Sequence, residues 1–323
     1  MRTLTTYLIL AFSLPCAAGE KKAVLWRLPR RTTVEDWIWG PGGEARAPKA
    51  PFEFMEEDLK GTNPKIKVRD ARGLHWVVKF GGEDHGDVFA ARMLFALGYE
   101  AQATYFVRSG VVVGTHGLKR ARPFIGKGGE FSYARFKLHE SKKVTRVEGL
   151  DWTWTNNPFV GTHELNGLKI LMMLMSNWDA KDARDGKGSN TAVYAKAGAG
   201  GDELHYSFDD WGATFGKWGG FFKRDKWDPQ GYSDDSRQFV STGAGNVIRW
   251  GYRGKHGNDL TKDIGIEDIR WFLAYLGGVT DDDLRAGLRA SGATPGDIDT
   301  YTLAIRGRIS QLQRLCDGAR AQR

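Results

Sequence analysis

The segment spanning residues 162–212 constrains the fold more than any other part of the chain. Thr162 offers an N-cap to a helix whose apolar side chains recur at helical spacing. These side chains are Leu168, Leu171, Met172 and Met175. Two strand-like runs follow at 192–195 and 204–208, on either side of a glycine-rich turn. The pattern predicts a buried helix followed by a pair of strands, with the methionines in the core.

The sequence before residue 119 is rich in strand signals. An Asp-Ala-Arg-Gly turn between two β-rich runs predicts a hairpin, and helical spacing followed by Gly98 predicts one helix. The expected elements are hairpin strands at 65–69 and 74–80, a helix at 87–97, and further strands at 101–107 and 111–116.

The sequence after residue 162 predicts mainly helices. Pro295 at one helix start and Asp281 before another follow the capping rules. Helices are expected at 266–276, 281–290 and 295–315, and residues 119–162 are interpreted as a long connection. Because strands and helices are segregated along the chain, the predicted fold class is α+β rather than a doubly wound sheet.

The composition is that of a globular chain with a sizeable core. Hydrophobic residues make up 41% and charged residues 27% of the 323 residues. The net charge of +8 favours anionic partners such as nucleotides, but the basic residues are scattered, so no specific nucleic-acid partner is indicated. The 12 tryptophans are interpreted as aromatic packing, with a sugar-stacking surface as the alternative.

The N-terminus resembles a secretory signal peptide. Arg2 precedes an apolar run at 8–14, which ends in small residues, so cleavage is predicted after Ala18. The chain is therefore expected to be exported to the periplasm or the extracellular space. Pro15 disfavours lipoprotein anchoring through Cys16. No later stretch approaches about 20 apolar residues, so no transmembrane segment is expected in the mature chain.

The loss of Cys16 with the signal peptide would leave Cys316 as the sole thiol of the mature chain, since the sequence has 2 cysteines. No intramolecular disulfide and no cysteine-based zinc site are then expected. The core alone would stabilise the fold.

A lysine on a predicted strand is the first candidate site residue. Lys79 ends the run 74–80, where alternation places it on the same face as Val77, which we take to be inward. An inward lysine requires an anionic partner. Glu83 and Asp87 both lie close enough in the sequence to serve.

The polar loop after the apolar helix is the second candidate. Phosphoryl transfer requires a cation on the phosphates, ligands for magnesium, and a carboxylate that orients the attacking hydroxyl. Asp179 and Lys181 have the spacing of the base and lysine in a kinase catalytic loop. The metal-binding asparagine would be Asn190, which comes about six residues late. Asp182 would replace or assist it as a metal ligand.

The end of the second strand-like run is the third candidate. Asp210 is followed by Trp211 and Gly212, which resembles the Asp-Phe-Gly magnesium motif. Asp210 would bridge metal and phosphate, and Gly212 would permit a sharp turn. Asp209 is the alternative ligand, but the glycine spacing favours Asp210.

The segment that would cover the phosphates lacks a glycine-rich signature. The turn before Lys79 offers backbone N–H groups, a hydroxyl and ammonium groups through Thr62, Asn63 and Lys65. A simple surface turn is the alternative interpretation.

Three motifs, together with the residues above, resemble the atypical protein-kinase-like superfamily, which includes phosphoinositide kinases, HipA-type kinases and secreted casein kinases. They are NPFVGT at 157–162, ELNGLK at 164–169 and NWD at 177–179. They look in particular like an uncharacterised group of exported bacterial proteins with this fold. The resemblance covers residues 60–216 and implies a two-lobed fold. A β-rich N-lobe at 19–118 and a helical C-lobe at 163–323 would follow a signal peptide at 1–18.

The resemblance also implies roles for individual residues. Lys79 would hold ATP, Asp179 would be the catalytic carboxylate, and Asn190 with Asp210 would bind Mg²⁺ or Mn²⁺. The missing glycine-rich signature and the long loop before Asn190 depart from the family pattern. Both departures concern the geometry of phosphate and metal binding.

The function predicted from these residues is an exported ATP-dependent phosphotransferase that acts on a protein, lipid or small-molecule acceptor. Nucleotidyl transfer on the same fold and a non-catalytic pseudokinase are the alternatives. Scarce ATP outside the cytoplasm favours the pseudokinase, whereas the presence of both Asp179 and Asp210 favours an enzyme. A glycosidase would need an acid pair that the sequence does not identify.

Overall fold

The fold is α+β, as expected. The computed structural model describes residues 21–61, 63–139, 144–186, 188–198, 201–219, 223–243, 245 and 247–321. The predicted signal peptide and Thr62 therefore lie outside the described residues.

The described part of the chain contains 13 strands and 8 α-helices. The strands are β1 (Lys22–Val24), β2 (Phe52–Glu57), β3 (Lys65–Arg69), β4 (His75–Phe80), β5 (Thr104–Val113), β6 (Glu130–Leu138), β7 (Val144–Arg146), β8 (Thr191–Gly198), β9 (Gly201–Phe208), β10 (Trp218–Gly219), β11 (Lys223–Arg224), β12 (Val240–Thr242) and β13 (Ile248–Trp250). The helices are α1 (Val34–Trp39), α2 (Asp84–Ala96), α3 (His163–Leu174), α4 (Pro229–Ser236), α5 (Gly257–Thr261), α6 (Ile266–Leu276), α7 (Asp281–Ala290) and α8 (Pro295–Ala321).

Five strands in the N-terminal half close into a barrel in the order β2-β3-β4-β6-β5. The predicted hairpin is confirmed, because every residue of β3 pairs antiparallel with β4. Side chains alternate along β4, so Trp76, Val78 and Phe80 fill the barrel interior. The opposite face of this strand is directed toward helix α2 and the loop after β9.

The two strands expected at 101–107 and 111–116 form one strand, β5. The sequence suggests a break at Gly110, but the pairing with β6 continues through this residue. A Cβ at Gly110 would lie 2.7 Å from the Phe131 ring, so the glycine makes room for an aromatic side chain of the neighbouring strand. The glycine is a packing feature rather than a turn.

The segment 119–162, interpreted as a connection, contains β6 and β7. β6 pairs with both β4 and β5 and closes the barrel, which therefore extends to Leu138. The alternation of β6 is hidden in the sequence because three consecutive residues, 134–136, are buried. Ala134 and Phe136 point into the barrel, whereas helix α2 covers Arg135.

The C-terminal half is built around helix α3, whose residues from Leu165 to Leu174 are buried. Thr162 caps this helix by accepting a hydrogen bond from Leu165 N, as the sequence predicts. The methionines of α3 lie in the core. A four-stranded sheet in the order β1-β9-β8-β7 packs beside it, and β8 and β9 are the predicted strand pair.

The C-terminal helices agree with the sequence in position but differ in detail. α6 and α7 have the predicted bounds, whereas α8 continues from Pro295 to Ala321. The N-cap of α7 is Thr280 rather than Asp281, because Thr280 and Asp283 form a reciprocal capping box. None of the described helices is long and apolar enough to cross a membrane.

Candidate functional site

Lys79 lies on the outer face of the barrel, not in its interior. The inward prediction is wrong because Trp76, Val78 and Phe80 occupy the inner face of β4. The Lys79 side chain is nevertheless only 14% exposed, and its Nζ lies 3.1 Å from Glu83 Oε2 and 3.7 Å from Asp210 Oδ2. The lysine therefore faces two carboxylates, and we call the space around these three side chains the cleft.

Glu83 is the carboxylate that pairs with Lys79. Its other carboxylate oxygen pairs with Lys226, a residue that sequence reasoning did not single out. Asp87 has different partners, since it pairs with Arg135 at 3.3 Å and accepts a hydrogen bond from Trp211 N at 3.0 Å. The structure thus assigns Glu83 to the lysine and Asp87 to the attachment of the 209–212 loop.

Helix α2, predicted at 87–97, begins at Asp84. Its first turn carries two buried acidic residues, Asp84 and Asp87. Burial raises the pKa of Asp84 to about 8. Its Oδ1 has no hydrogen-bond partner among the described residues, and neither do Nε and Nη1 of the buried Arg135. Arg135 lies directly opposite Lys79 on the neighbouring strand, so two cations of the barrel face this acidic turn.

Asp210 projects into the same cleft as Lys79. Burial opposes its ionisation, but the Lys79 charge, the Gly212 N–H at 3.1 Å and the charge of Lys137 outweigh that effect and hold the pKa of Asp210 below its usual range. The carboxyl group is therefore charged at neutral pH.

Asp209 turns the other way. Its oxygens accept hydrogen bonds from Tyr194 Oη at 2.5 Å and from Ser207 Oγ at 2.7 Å. These bonds fix the backbone just before Asp210. Of the two neighbouring aspartates, Asp210 is therefore the one whose carboxylate reaches the cleft.

Asp179 is held between two ammonium groups. Its Oδ2 lies 3.1 Å from Lys181 Nζ, and its Oδ1 lies 3.0 Å from Lys255 Nζ. Lys255 arrives from a distant loop and was not predicted. Asp179 is thus a partly exposed carboxylate with two cations beside it. Such an arrangement suits a reacting hydroxyl that lies next to an anionic group.

Asn190 lies beside Asp179 even though the loop between them is long. Its Nδ2 donates to Asp179 O at 2.7 Å, and its backbone N donates to Lys181 O at 3.3 Å. Asp209 N donates in turn to Asn190 O at 2.8 Å. Asn190 therefore lies between the Asp179 loop and the residue that precedes Asp210.

Asn177 connects the two acidic loops and was missed as a site residue. It is completely buried, its Nδ2 donates to Asp210 O at 3.1 Å, and its Oδ1 accepts from Asp179 N at 3.1 Å. A polar residue at the end of an apolar helix is the only sequence signal for this role. One amide side chain thus sets the relative position of the two loops.

Asp182 anchors the inserted loop. It is buried, and it accepts hydrogen bonds from Trp154 N at 3.2 Å and from the Arg184 guanidinium at 2.5 Å. Its carboxylate could share a cation with His256 and Asp259, but Arg184 already lies among these groups and donates to Asp259 at 2.7 Å. Burial opposes the ionisation of Asp182, but the hydrogen bonds from Arg184 and from Trp154 N, together with the charge of His256, lower its pKa below the usual value.

The turn before Lys79 contributes one cation near the cleft. Lys65 lies directly opposite Lys79 on the paired strand, but its Nζ pairs with Asp58 at 3.1 Å. Asn63 is partly buried at the end of this turn.

Gly212 is required for a close approach rather than for a sharp turn. Its φ is not in the left-handed region, but a Cβ there would lie 2.7 Å from the Glu83 Cβ. We expect Gly212→Ala to displace Glu83 and to lower the free energy of unfolding by about 1–3 kcal/mol. Urea unfolding measures this change.

Gly186→Ala is the matched control, because a Cβ at Gly186 would have no neighbour within 4 Å. It should stay within about 0.5 kcal/mol of wild type. Equal stability of both glycine variants would show that Glu83 moves aside without cost.

The structure therefore brings most of the predicted site residues into two adjoining groups. Lys79, Glu83 and Asp210 form one, and Asp179, Lys181 and Asn190 form the other. Comparisons with protein-family models, curated proteins and solved structures found no match to this chain.

Proposed function

We propose that this chain has a kinase-like fold and is an ATP-dependent phosphotransferase. The observation that carries the proposal is the link through Asn177, whose side chain bonds both the Asp179 loop and the Asp210 loop. This link holds the loop of Asp179, a carboxylate next to lysines, beside the loop of Asp210, a carboxylate that faces the buried Lys79. Phosphoryl transfer needs these charges in this proximity.

The proposed magnesium ligands are Asp210 and Asn190. Because Asn190 uses its Nδ2 to hold Asp179 O, its Oδ1 remains as the coordinating atom. A carboxylate and an amide oxygen are hard ligands that suit Mg²⁺ or Mn²⁺. The metal would neutralise phosphate charge, and Lys79 would add a second positive charge from the barrel.

Asp179 is the proposed acceptor of the hydroxyl proton. The acceptor oxygen would form a bond to the γ-phosphorus, the bond to the bridging oxygen would break, and ADP would leave. Lys181 and Lys255 keep an anionic carboxylate in place and would face the transferred phosphate from the acceptor side. In this proposal Glu83 holds Lys79 in position without touching the substrate.

Export remains part of the proposal through the signal-like N-terminus. An exported enzyme of this kind would meet acceptors in the cell envelope or outside the cell. The acceptor chemistry would then be that of envelope or secreted material, whether protein, lipid or small molecule.

Magnesium-dependent nucleotide binding tests the proposal directly. With ATP and Mg²⁺ at about 100 times Kd, we expect the melting temperature of the wild type to rise by about 5 °C. Asp210→Ala should largely remove this shift, because it deletes a metal ligand that faces the phosphates. Differential scanning fluorimetry with and without Mg²⁺ measures both.

Asp317→Ala is the matched control, since Asp317 is exposed on α8 and distant in sequence from the cleft. It should keep the full shift. If no nucleotide stabilises the wild type in the presence of Mg²⁺ or Mn²⁺, the phosphotransferase proposal is wrong.

A further inference from the structure

An open groove of about 660 Å³ lies on the C-terminal half of the molecule, next to the Asp179 loop. Three aromatic residues, Trp218, Trp250 and Tyr252, line it together with polar side chains. All three residues are partly exposed. This distinguishes them from Trp76 and Trp211, which are buried in the core as the packing interpretation expects.

The walls of the groove contact the residues that flank Asp179. Tyr252 Oη donates to Asn177 O at 2.5 Å, and the Trp218 ring lies 5.2 Å from the Trp178 ring. Lys255, which lies between the groove residues Gly254 and His256 in sequence, pairs with Asp179. The wall of the groove is therefore in direct contact with the two residues that precede the proposed proton acceptor.

The backbone of this wall is shaped for close packing. A Cβ at Gly254 would lie 2.9 Å from Trp178 Cα, so a glycine is needed for the Tyr252 loop to lie against Trp178. Lys255 N donates to Trp178 O at 2.9 Å and holds the loop there. Backbone packing and a hydrogen bond thus fix this wall of the groove.

The groove has little net charge available to a ligand. Asp259 is neutralised by Arg184 at 2.7 Å. Arg253 forms no ion pair or hydrogen bond with any of the described residues. A single available cation is too few for a nucleic acid, whose binding relies on many phosphate contacts.

We propose that this groove binds a saccharide and that, resting on the proposed phosphotransferase function, a sugar hydroxyl is the acceptor. Aromatic rings give flat apolar surfaces on which sugar rings stack. The side chains of Arg253 and Asn258 also line the groove and would supply hydrogen bonds to hydroxyls. A peptide would be held mainly by backbone pairing or charged pockets, and the lining of this groove supplies side-chain groups instead.

The proposed phosphate transfer needs no reactant other than ATP and the sugar. The sugar hydroxyl oxygen would bond to the γ-phosphorus of ATP as the bond to the bridging oxygen breaks. The hydroxyl proton would pass to Asp179, and ADP would leave. The products are a sugar phosphate and ADP.

Saccharide binding is tested without nucleotide, so that it does not depend on the proposed transfer. Isothermal titration calorimetry of the full chain would use cellotetraose, chitotetraose and tetragalacturonate, with an unrelated tetrapeptide for comparison. We expect Trp218→Ala to weaken the best of the three sugars about tenfold, because it removes a stacking face. Arg253→Ala should weaken tetragalacturonate more than cellotetraose, because it removes the available cation.

Arg314→Ala, an exposed arginine on α8, is the control for Arg253→Ala and should bind sugars as wild type does. Circular dichroism checks the fold of each variant, and Arg253→Ala, at an exposed position, tests the groove if Trp218→Ala does not fold. The proposal is overturned if no sugar binds below about 10 mM. It is also overturned if only the peptide binds, or if sugars bind the groove variants unchanged. Nucleotide binding in the same preparations shows separately whether the phosphotransferase proposal stands.

Discussion

A chain carrying Asp179→Asn is expected to bind magnesium and nucleotide as wild type does and to transfer phosphate about 10²–10⁴ times more slowly. The amide keeps the size and most of the hydrogen-bonding capacity of the carboxylate but cannot accept the hydroxyl proton. Asp210, Asn190 and Lys79, the proposed phosphate and metal residues, are unchanged. The rate of ADP release, measured with the sugar that binds best, reports the transfer.

Asp317→Asn provides the control for this charge change at an exposed position on α8 and should transfer at the wild-type rate. The expected pattern separates the two functions of the site. Equal loss of nucleotide binding and transfer would contradict the role of Asp179 as proton acceptor. An unchanged rate would contradict it as well.

The second large effect concerns stability. We expect Arg308→Met to lower the free energy of unfolding by about 3–5 kcal/mol, because it removes a buried guanidinium and the hydrogen bonds that this group donates to several buried acceptors. Arg308 is 2% exposed, and its Nη1 donates to Met173 O and Leu174 O, each at 3.0 Å, at the end of α3. Its guanidinium also stacks 4.0 Å from the centre of the Tyr232 ring. Urea unfolding followed by circular dichroism measures the loss.

Arg308 is relevant to the site because it hydrogen-bonds to the C-terminal end of α3, the helix that leads into Asn177. Its Nη1 also donates to Ser176 Oγ at 2.8 Å, one residue before Asn177. The matched substitution Arg314→Met, on the exposed face of α8, which also carries Arg308, should change the free energy of unfolding by less than about 0.5 kcal/mol. A loss below about 1 kcal/mol for Arg308→Met would mean that the other donors to these carbonyls, Ser176 N for Met173 O and Tyr232 Oη for Leu174 O, satisfy them without the guanidinium.

The candidate site shows which contacts a sequence can suggest. Lys181 lies two residues from Asp179, so their pairing follows from local spacing. Lys226 and Lys255 come from distant loops, and nothing near them in the sequence marks them as partners of Glu83 and Asp179. Long-range ion pairs depend on how the chain returns to the site, which is a property of the whole fold.

Local physical rules determined much of the secondary structure. Thr162 caps α3, the Asp-Ala-Arg-Gly turn joins β3 to β4, and Gly98 follows α2 with a φ of +82°. Each of these features depends on a few neighbouring residues, because capping and turn formation satisfy nearby backbone groups. The sequence by itself therefore determined these elements and the positions of the two acidic loops.

Only the tertiary structure decided how these elements combine. β6 was hidden because Arg135 is buried on the outer face of the barrel, where helix α2 covers it, so the usual alternation is lost. The face of Lys79 depended on barrel closure, since the closed sheet buries the Trp76 side and leaves Lys79 facing the cleft. Asn177 acquires its role from two loops that meet only in the folded chain. Burial and long-range pairing are shared properties of distant residues, and the folded structure decides them.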